Sequence, residues 1–234
     1  MKDLASVQTL WELFLSGGFL MWPIVAMSLV VLTFGIERLI ALRRGRFVPR
    51  GFAAGLLKLA AAGPFDPRKV YRLCQEHPSI AATVVRAMLE RLGRPLPEIE
   101  HVVDVTKERE ASALYANIRP ISLAVTVTPL LGLLGTVQGM ILAFYTTANL
   151  EAGANRAAEL AQGIYVALIT TFAGLCVAIP AAIIAHFLEG RILAGFRRVD
   201  SVVAGMLPQM ERYENKGRVT PAQLAGDTPT AGKP

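Results

Sequence analysis

The chain has 234 residues, 53% of them hydrophobic and only 18% charged, a balance that excludes an ordinary soluble domain and belongs to a membrane protein. Its formal net charge of +6 would suit nucleic acid, but neither a binding motif nor aromatic interleaving accompanies the basic residues. The two cysteines, Cys74 and Cys176, fall in a polar region and inside an apolar span, so no disulfide is expected.

Residues 1–17 place Leu4, Val7, Leu10, Trp11, Phe14 and Leu15 at three- and four-residue steps. That spacing predicts a short amphipathic helix, lying on the outer membrane surface or packed against partner chains. Trp11 and Trp22 suit a headgroup-level belt. After Ser16-Gly-Gly, a first membrane span runs over 18–42, with Pro23 in its opening turns and Glu37-Arg38 near its end. Asp3 and Glu12 precede it and Arg43, Arg44 and Arg46 follow it, which is an anchor's arrangement and not a cleavable signal's.

Residues 43–119 are polar, broken at Gly63-Pro-Phe-Asp-Pro67, His77-Pro-Ser79 and Gly93-Arg-Pro-Leu-Pro97. The pieces between read as amphipathic helices, with Ser79 as N-cap for Ile80 to Leu92. The charges from Glu98 to Glu110 read as a solvated helix face with ion pairs. His77 and His101 lack cysteines or paired carboxylates at ligand spacing, so no metal site is expected. Nowhere does strand alternation appear.

Two more spans follow, 120–148 and 160–187, joined by a loop at 149–159, each long enough for a ~30 Å hydrocarbon layer. A helical extension over 188–216 and a disordered tail over 217–234, rich in Pro, Thr, Gly and Ala, end the chain. Fourteen Lys and Arg lie between Arg43 and Arg119 and seven from Arg191 onward. By the positive-inside rule the 43–119 region and the tail are cytoplasmic, and the N-terminus and the 149–159 loop are outside.

The second and third spans carry stripes of small residues at three- and four-residue intervals. Thr128, Gly132, Gly135 and Gly139 form one; Gly163, Ala167, Thr170, Gly174, Ala178, Ala181 and Ala185 form the other. Such stripes let helices approach closely. Counting outward from Ala154 at the loop centre puts Thr136 and Thr171 at the same depth, with Thr170 beside them. Matched hydroxyls on adjoining helices are what a polar pathway needs. Thr126, Thr128 and Thr147 read instead as bonding carbonyls of their own helix, and Gln138 as glue to a neighbour. Glu159 lies seven residues before Val166, on a similar face, at the mouth of any pore.

The runs Thr128-Pro-Leu-Leu-Gly-Leu-Leu-Gly-Thr-Val-Gln-Gly-Met140 and Gly163-Ile-Tyr-Val-Ala-Leu-Ile-Thr-Thr-Phe-Ala-Gly-Leu-Cys-Val-Ala-Ile-Pro-Ala181, with this topology, resemble the MotA/TolQ/ExbB proton-channel family, specifically its ExbB/TolQ branch. The resemblance is specific over roughly Pro120 to Phe187. It implies an all-α inner-membrane protein, a homo-pentamer whose pore holds single-span helices of an ExbD/TolR-like partner, and Thr136 and Thr171 as pore-lining threonines. It also implies coupling of ion entry to TonB/TolA-like periplasmic partners. One departure concerns charge: many members have glutamate where this chain has Val166, so a carboxylate on the pathway would have to come from the partner's helix.

The expected function is therefore an energy-transducing motor subunit driven by ion-motive force. A non-conducting oligomeric scaffold and a sodium-using relative are the alternatives. No nucleophile elbow, phosphate loop or cofactor motif supports an enzyme, and no cofactor is expected.

Overall fold

The computed structural model describes residues 17–42, 46–61, 65–149 and 155–213. The expected N-terminal amphipathic helix lies outside these apart from its last position, as do Arg43 and Arg44, residues 150–154 of the expected 149–159 loop and the whole 217–234 tail. The described residues are all-helical apart from turns and short connections: α1 Met21–Ala41, α2 Arg50–Ala61, α3 Pro67–Glu76, α4 Ile80–Leu89, α5 Leu96–Ala116, α6 Arg119–Ala148 and α7 Arg156–Glu211. Three of them, α1, α6 and α7, are long and apolar enough to cross a membrane.

The chain divides into two compact units. The first, from Met1–Arg38 and Asn117–Leu188, contains most of α1, all of α6 and the first part of α7. Helix α6 opens with proline in its first turn, where the missing N–H removes no helical bond, and carries Pro129 in its interior. Asn155 starts α7 by accepting the Ala158 N–H on its side-chain oxygen at 3.2 Å. Glu159 then sits exposed in the first turn of α7, where a negative charge complements the helix dipole.

The buried side of α6 is one stripe: Ile121, Ala124, Thr128, Gly132, Gly135, Gly139 and Ala143. It meets the small residues of α7 at backbone distance. A Cβ added to Gly139 would lie 3.0 Å from the Cβ of Ala167, and one added to Gly163 would lie 2.2 Å from that of Ala143. Both pairs have their midpoint at position 153, one residue from the loop centre counted in the sequence. Helix α1 packs near its end through Gly35, which faces Ile184. Leu29, Leu32, Leu123, Leu133, Phe172 and Ile183 are among the large apolar side chains left exposed, as a hydrocarbon surrounding permits.

The second unit, from Leu39–Ala116 and Glu189–Pro234, is built by α2 to α5 and the remainder of α7. Asp66 caps α3 by accepting the Arg68 N–H at 3.1 Å, with Pro67 as the first helical residue. Ser79 caps α4 by accepting the Ala82 N–H at 3.2 Å. Gly93, with φ +88°, makes the turn between α4 and α5, and Glu98 ties that turn down by pairing with Arg91 and Arg94.

Phe47 is the hub of this unit. Fully buried, it packs edge-on against Phe196 with ring centroids 5.8 Å apart. Its carbonyl accepts the Ala81 N–H at 3.0 Å. The ring fills the place that a side chain on residue 195 would need, since a Cβ on Gly195 would fall 2.4 Å from its carbons. Gly195→Ala should therefore destabilise the protein by ~1–3 kcal/mol through overpacking. Gly205 has nothing within 4 Å of an added Cβ, so Gly205→Ala in the same helix should stabilise by up to ~1 kcal/mol through helix propensity. Thermal unfolding in detergent, compared across the two variants, checks the pair.

At the end of α1 the Arg191 guanidinium donates to the Leu42 carbonyl at 2.8 Å, a cation where the helix dipole is negative. The Tyr213 hydroxyl donates to the Phe65 carbonyl at 2.7 Å. Lys107 bridges α5 to α7, with Nζ 2.9 Å from Asp104 and 3.0 Å from Asp200. Partial burial of Lys107 opposes its charge, but the two carboxylates outweigh that and hold its pKa above the ordinary lysine value. Burial pushes the Cys74 thiol up to about 12, with Arg86 pulling the other way. It stays a protonated, unreactive core group at neutral pH.

Candidate functional site

In the first unit the seam between α6 and α7 is where intramembrane hydroxyls come together. Gly132 and Gly174 set the spacing: a Cβ on Gly132 would lie 3.1 Å from the Thr170 carbonyl oxygen and 3.1 Å from the Thr171 Cα, and one on Gly174 would lie 2.9 Å from the Thr128 carbonyl oxygen. With the two backbones this close, a short side chain reaches across. The Thr171 hydroxyl donates to the Gly132 carbonyl on the opposite helix at 3.0 Å. In an α-helix that same carbonyl accepts the N–H of the residue four positions on, which here is Thr136. Thr171 and Thr136 therefore stand at one level of the seam and share an acceptor.

The remaining hydroxyls behave differently. Thr136 donates to its own helix, to the Leu133 carbonyl at 2.7 Å, and is half-buried. Thr170 donates to the Ala167 carbonyl at 2.8 Å and is 2% exposed. Its side chain occupies the space over Gly135, whose added Cβ would fall 2.3 Å from Thr170 Oγ1. Thr126 and Thr147 bond the carbonyls of Ser122 and Ala143, one turn back, as expected for threonine in a helix. Thr128 departs from that expectation. Its hydroxyl is fully buried and has no hydrogen-bond partner among the described residues, because the seam encloses it where α6 and Gly174 touch.

The packing residues read from the sequence fall on this seam: Gly132, Gly135, Gly139, Gly174, Ala167 and Ala178 are buried, and Gly163 is half-buried against Ala143. Val166 is half-buried and lies five residues, or about 140°, around α7 from Thr171. Glu159 is exposed near the start of α7. Neither the second nor the third span contains an Asp or Glu between Ile121 and Ala148 or between Leu160 and Phe187. Arg38, at the end of α1, is 8% exposed and pairs with Glu37 at 2.7 Å. Among the described residues no group of three or more His, Cys, Asp or Glu could hold a metal ion.

Chemically, the seam offers at Thr136, Thr170 and Thr171 hydroxyl oxygens whose protons are already committed to carbonyls. Such oxygens retain lone pairs that accept a hydrogen bond, and none of these groups titrates near neutral pH. The arrangement can pass a proton or coordinate a small cation through a relay of acceptors, provided that an ionisable group is supplied to it.

Residues 76–200 match the family described as the MotA/TolQ/ExbB proton channel family. A biopolymer transport protein ExbB homolog of Methanothermobacter thermautotrophicus is 30% identical over 186 residues, which are 79% of this chain and 64% of that protein. The biopolymer transport protein exbB1 of Vibrio cholerae is 28% identical over 181 residues, 74% of this chain and 75% of its own length. The biopolymer transport protein ExbB of Aquifex aeolicus is 42% identical over 64 residues, 27% of this chain and 42% of that protein.

Proposed function

Because the chain belongs to the MotA/TolQ/ExbB proton channel family, we propose that it is the multi-span subunit of an energy-transducing machine in the cytoplasmic (inner) membrane, driven by ion-motive force. In this reading several copies, five by family resemblance, surround the single-span membrane helices of an ExbD/TolR-like dimer. The N-terminus faces the periplasm, the second unit lies in the cytoplasm, and the work is delivered to a TonB/TolA-like protein. The names of the relatives, biopolymer transport proteins, support the energy-transducing role.

The observation that carries the reading is the junction of Thr171, the Gly132 carbonyl and Thr136. It gives the pathway two acceptor oxygens at one depth, Thr136 and Thr171, while the burial of Thr170 under Gly135 makes that residue their packing support. Glu159 stands at the outer mouth. The partner's helix supplies the carboxylate that Val166 does not. An ion crossing ~100 mV releases about 2.3 kcal/mol, so several ions are needed for each mechanical step.

The absence of acidic residues from the second and third spans also favours a second reading, a non-conducting scaffold. Reconstitution of the chain with its single-span partner in vesicles containing a pH-sensitive dye separates the two. Proton entry under an imposed potential is the expected result. An intact complex that admits no protons, but admits sodium, would identify a sodium-using relative, and one that admits neither would be a scaffold.

A further inference from the structure

The second unit holds a cavity of about 800 Å³ between α2, the start of α3 and the last turns of α7. Leu56, Phe65, Val70, Val202, Met206 and Tyr213 supply most of its apolar wall. Leu57, also on the wall, is 72% exposed on a helix too short to cross a membrane, so an apolar cover is favourable there. Ser201 and Gln209 line the cavity too, and no hydrogen bond among the described residues involves either side chain. A hydroxyl and an amide, each both donor and acceptor, suit the backbone N–H and C=O groups of an extended peptide.

The chain itself leads such a peptide to this place. Tyr213 is the last described residue, and it is held at the cavity rim by its hydroxyl bond to the Phe65 carbonyl at 2.7 Å, with the two rings 5.8 Å apart. In the sequence beyond it, Val219 and Leu224 are the only large aliphatic residues. Pro221 lies between them and biases Thr220 toward extended backbone. At the three residues per turn of a polyproline II stretch, Pro221 and Leu224 share one edge, Val219, Ala222 and Ala225 the second, and Thr220 and Gln223 the third. Two apolar edges and one polar edge match a cavity that is walled by apolar side chains and open to water on one side. We propose that residues 219–225 seat in the cavity of their own chain, with the edge of Thr220 and Gln223 outward. Asn215 and Gly217 are residues that suit the reversal of direction this needs. The six residues from Tyr213 to Val219 reach ~20 Å, against a width of roughly 11 Å for a rounded cavity of this volume. Being tethered, the segment has an effective concentration on the order of millimolar, which favours it over a separate peptide with equal contacts.

The test uses the full chain in native membranes. A photo-crosslinking benzoylphenylalanine in place of Val219 should form a link within the same chain, mapping to the wall segments 53–57 or 202–206. A link to a second copy, distinguished by mixing differently tagged copies, overturns the proposal, as does a link only to another protein or no link at all. Amide hydrogen exchange in the detergent-solubilised protein is the second readout. Val219→Asp combined with Leu224→Asp should speed exchange in α2 about tenfold by uncovering its wall, while Thr220→Asp, on the outward edge, should leave it at the wild-type rate. Equal exchange in the double variant and the wild type would also overturn the proposal, as would an equal acceleration by Thr220→Asp. Both readouts concern the second unit and neither measures ion entry, so the outcome is independent of the proposed pathway.

Discussion

Gly174→Ala should separate α6 from α7 and abolish whatever activity the assembled protein has. The added Cβ would lie 2.9 Å from the Thr128 carbonyl oxygen and 3.2 Å from the Gly132 Cα, both backbone atoms of a helix that cannot swing aside as a side chain does. Relief requires moving one helix away from the other. The hydrogen bond from Thr171 to Gly132 stretches with that movement, and the close approaches at Gly139 and Gly163 open in turn. Overpacking of this kind costs ~1–3 kcal/mol in soluble cores. It weighs more heavily here, since close small-residue packing is the main attraction between helices in lipid. The measurement is thermal aggregation in detergent, together with partner-dependent ion entry in reconstituted vesicles. Gly190→Ala serves as the control on the same helix. Among the described residues nothing lies within 4 Å of its added Cβ, so ion entry and stability should stay at wild-type levels or improve.

Much of the seam is legible in the sequence because its determinants are one-dimensional. Spans are set by length and apolarity, and the stripes of Gly132, Gly135, Gly139, Gly174 and Ala178 follow from helical periodicity alone. The hairpin count also holds to within a residue, since two helices of equal rise leaving one loop must keep step. The hydroxyl bonds are another matter. Thr171 crosses to Gly132, Thr136 turns back on its own helix, and the Thr128 hydroxyl bonds nothing among the described residues, although all three are threonines among small residues. The difference comes from interhelical distance at each point, which Gly132 and Gly174 set jointly and which neither stripe reveals by itself. In the second unit Ser79 is legible as a cap because capping is local. The pairing of Lys107 with Asp200 is not, because it joins residues of α5 and α7 far apart in the chain.

Thr171→Val should leave the subunit assembled and reduce partner-dependent ion entry to background, while Thr171→Ser should keep entry near the wild-type rate. Valine preserves the branched shape that the seam encloses and removes only the hydroxyl. The Gly132 carbonyl then keeps its helical bond from the Thr136 N–H, so the stability lost is that of one interhelical hydrogen bond, ~0.6 kcal/mol on average. Serine keeps the oxygen and its reach. Thr136→Ala extends the test to the other helix. Its hydroxyl bonds the Leu133 carbonyl of its own turn at 2.7 Å and contributes little to packing, so a loss of ion entry in this variant reports the missing acceptor and not a loosened seam. The readouts are paired: dye-monitored proton entry for the pathway, and oligomer dissociation in detergent for assembly. Entry at the wild-type rate in both Thr171→Val and Thr136→Ala, with assembly intact, would remove the two threonines from the pathway and leave the seam a purely structural contact.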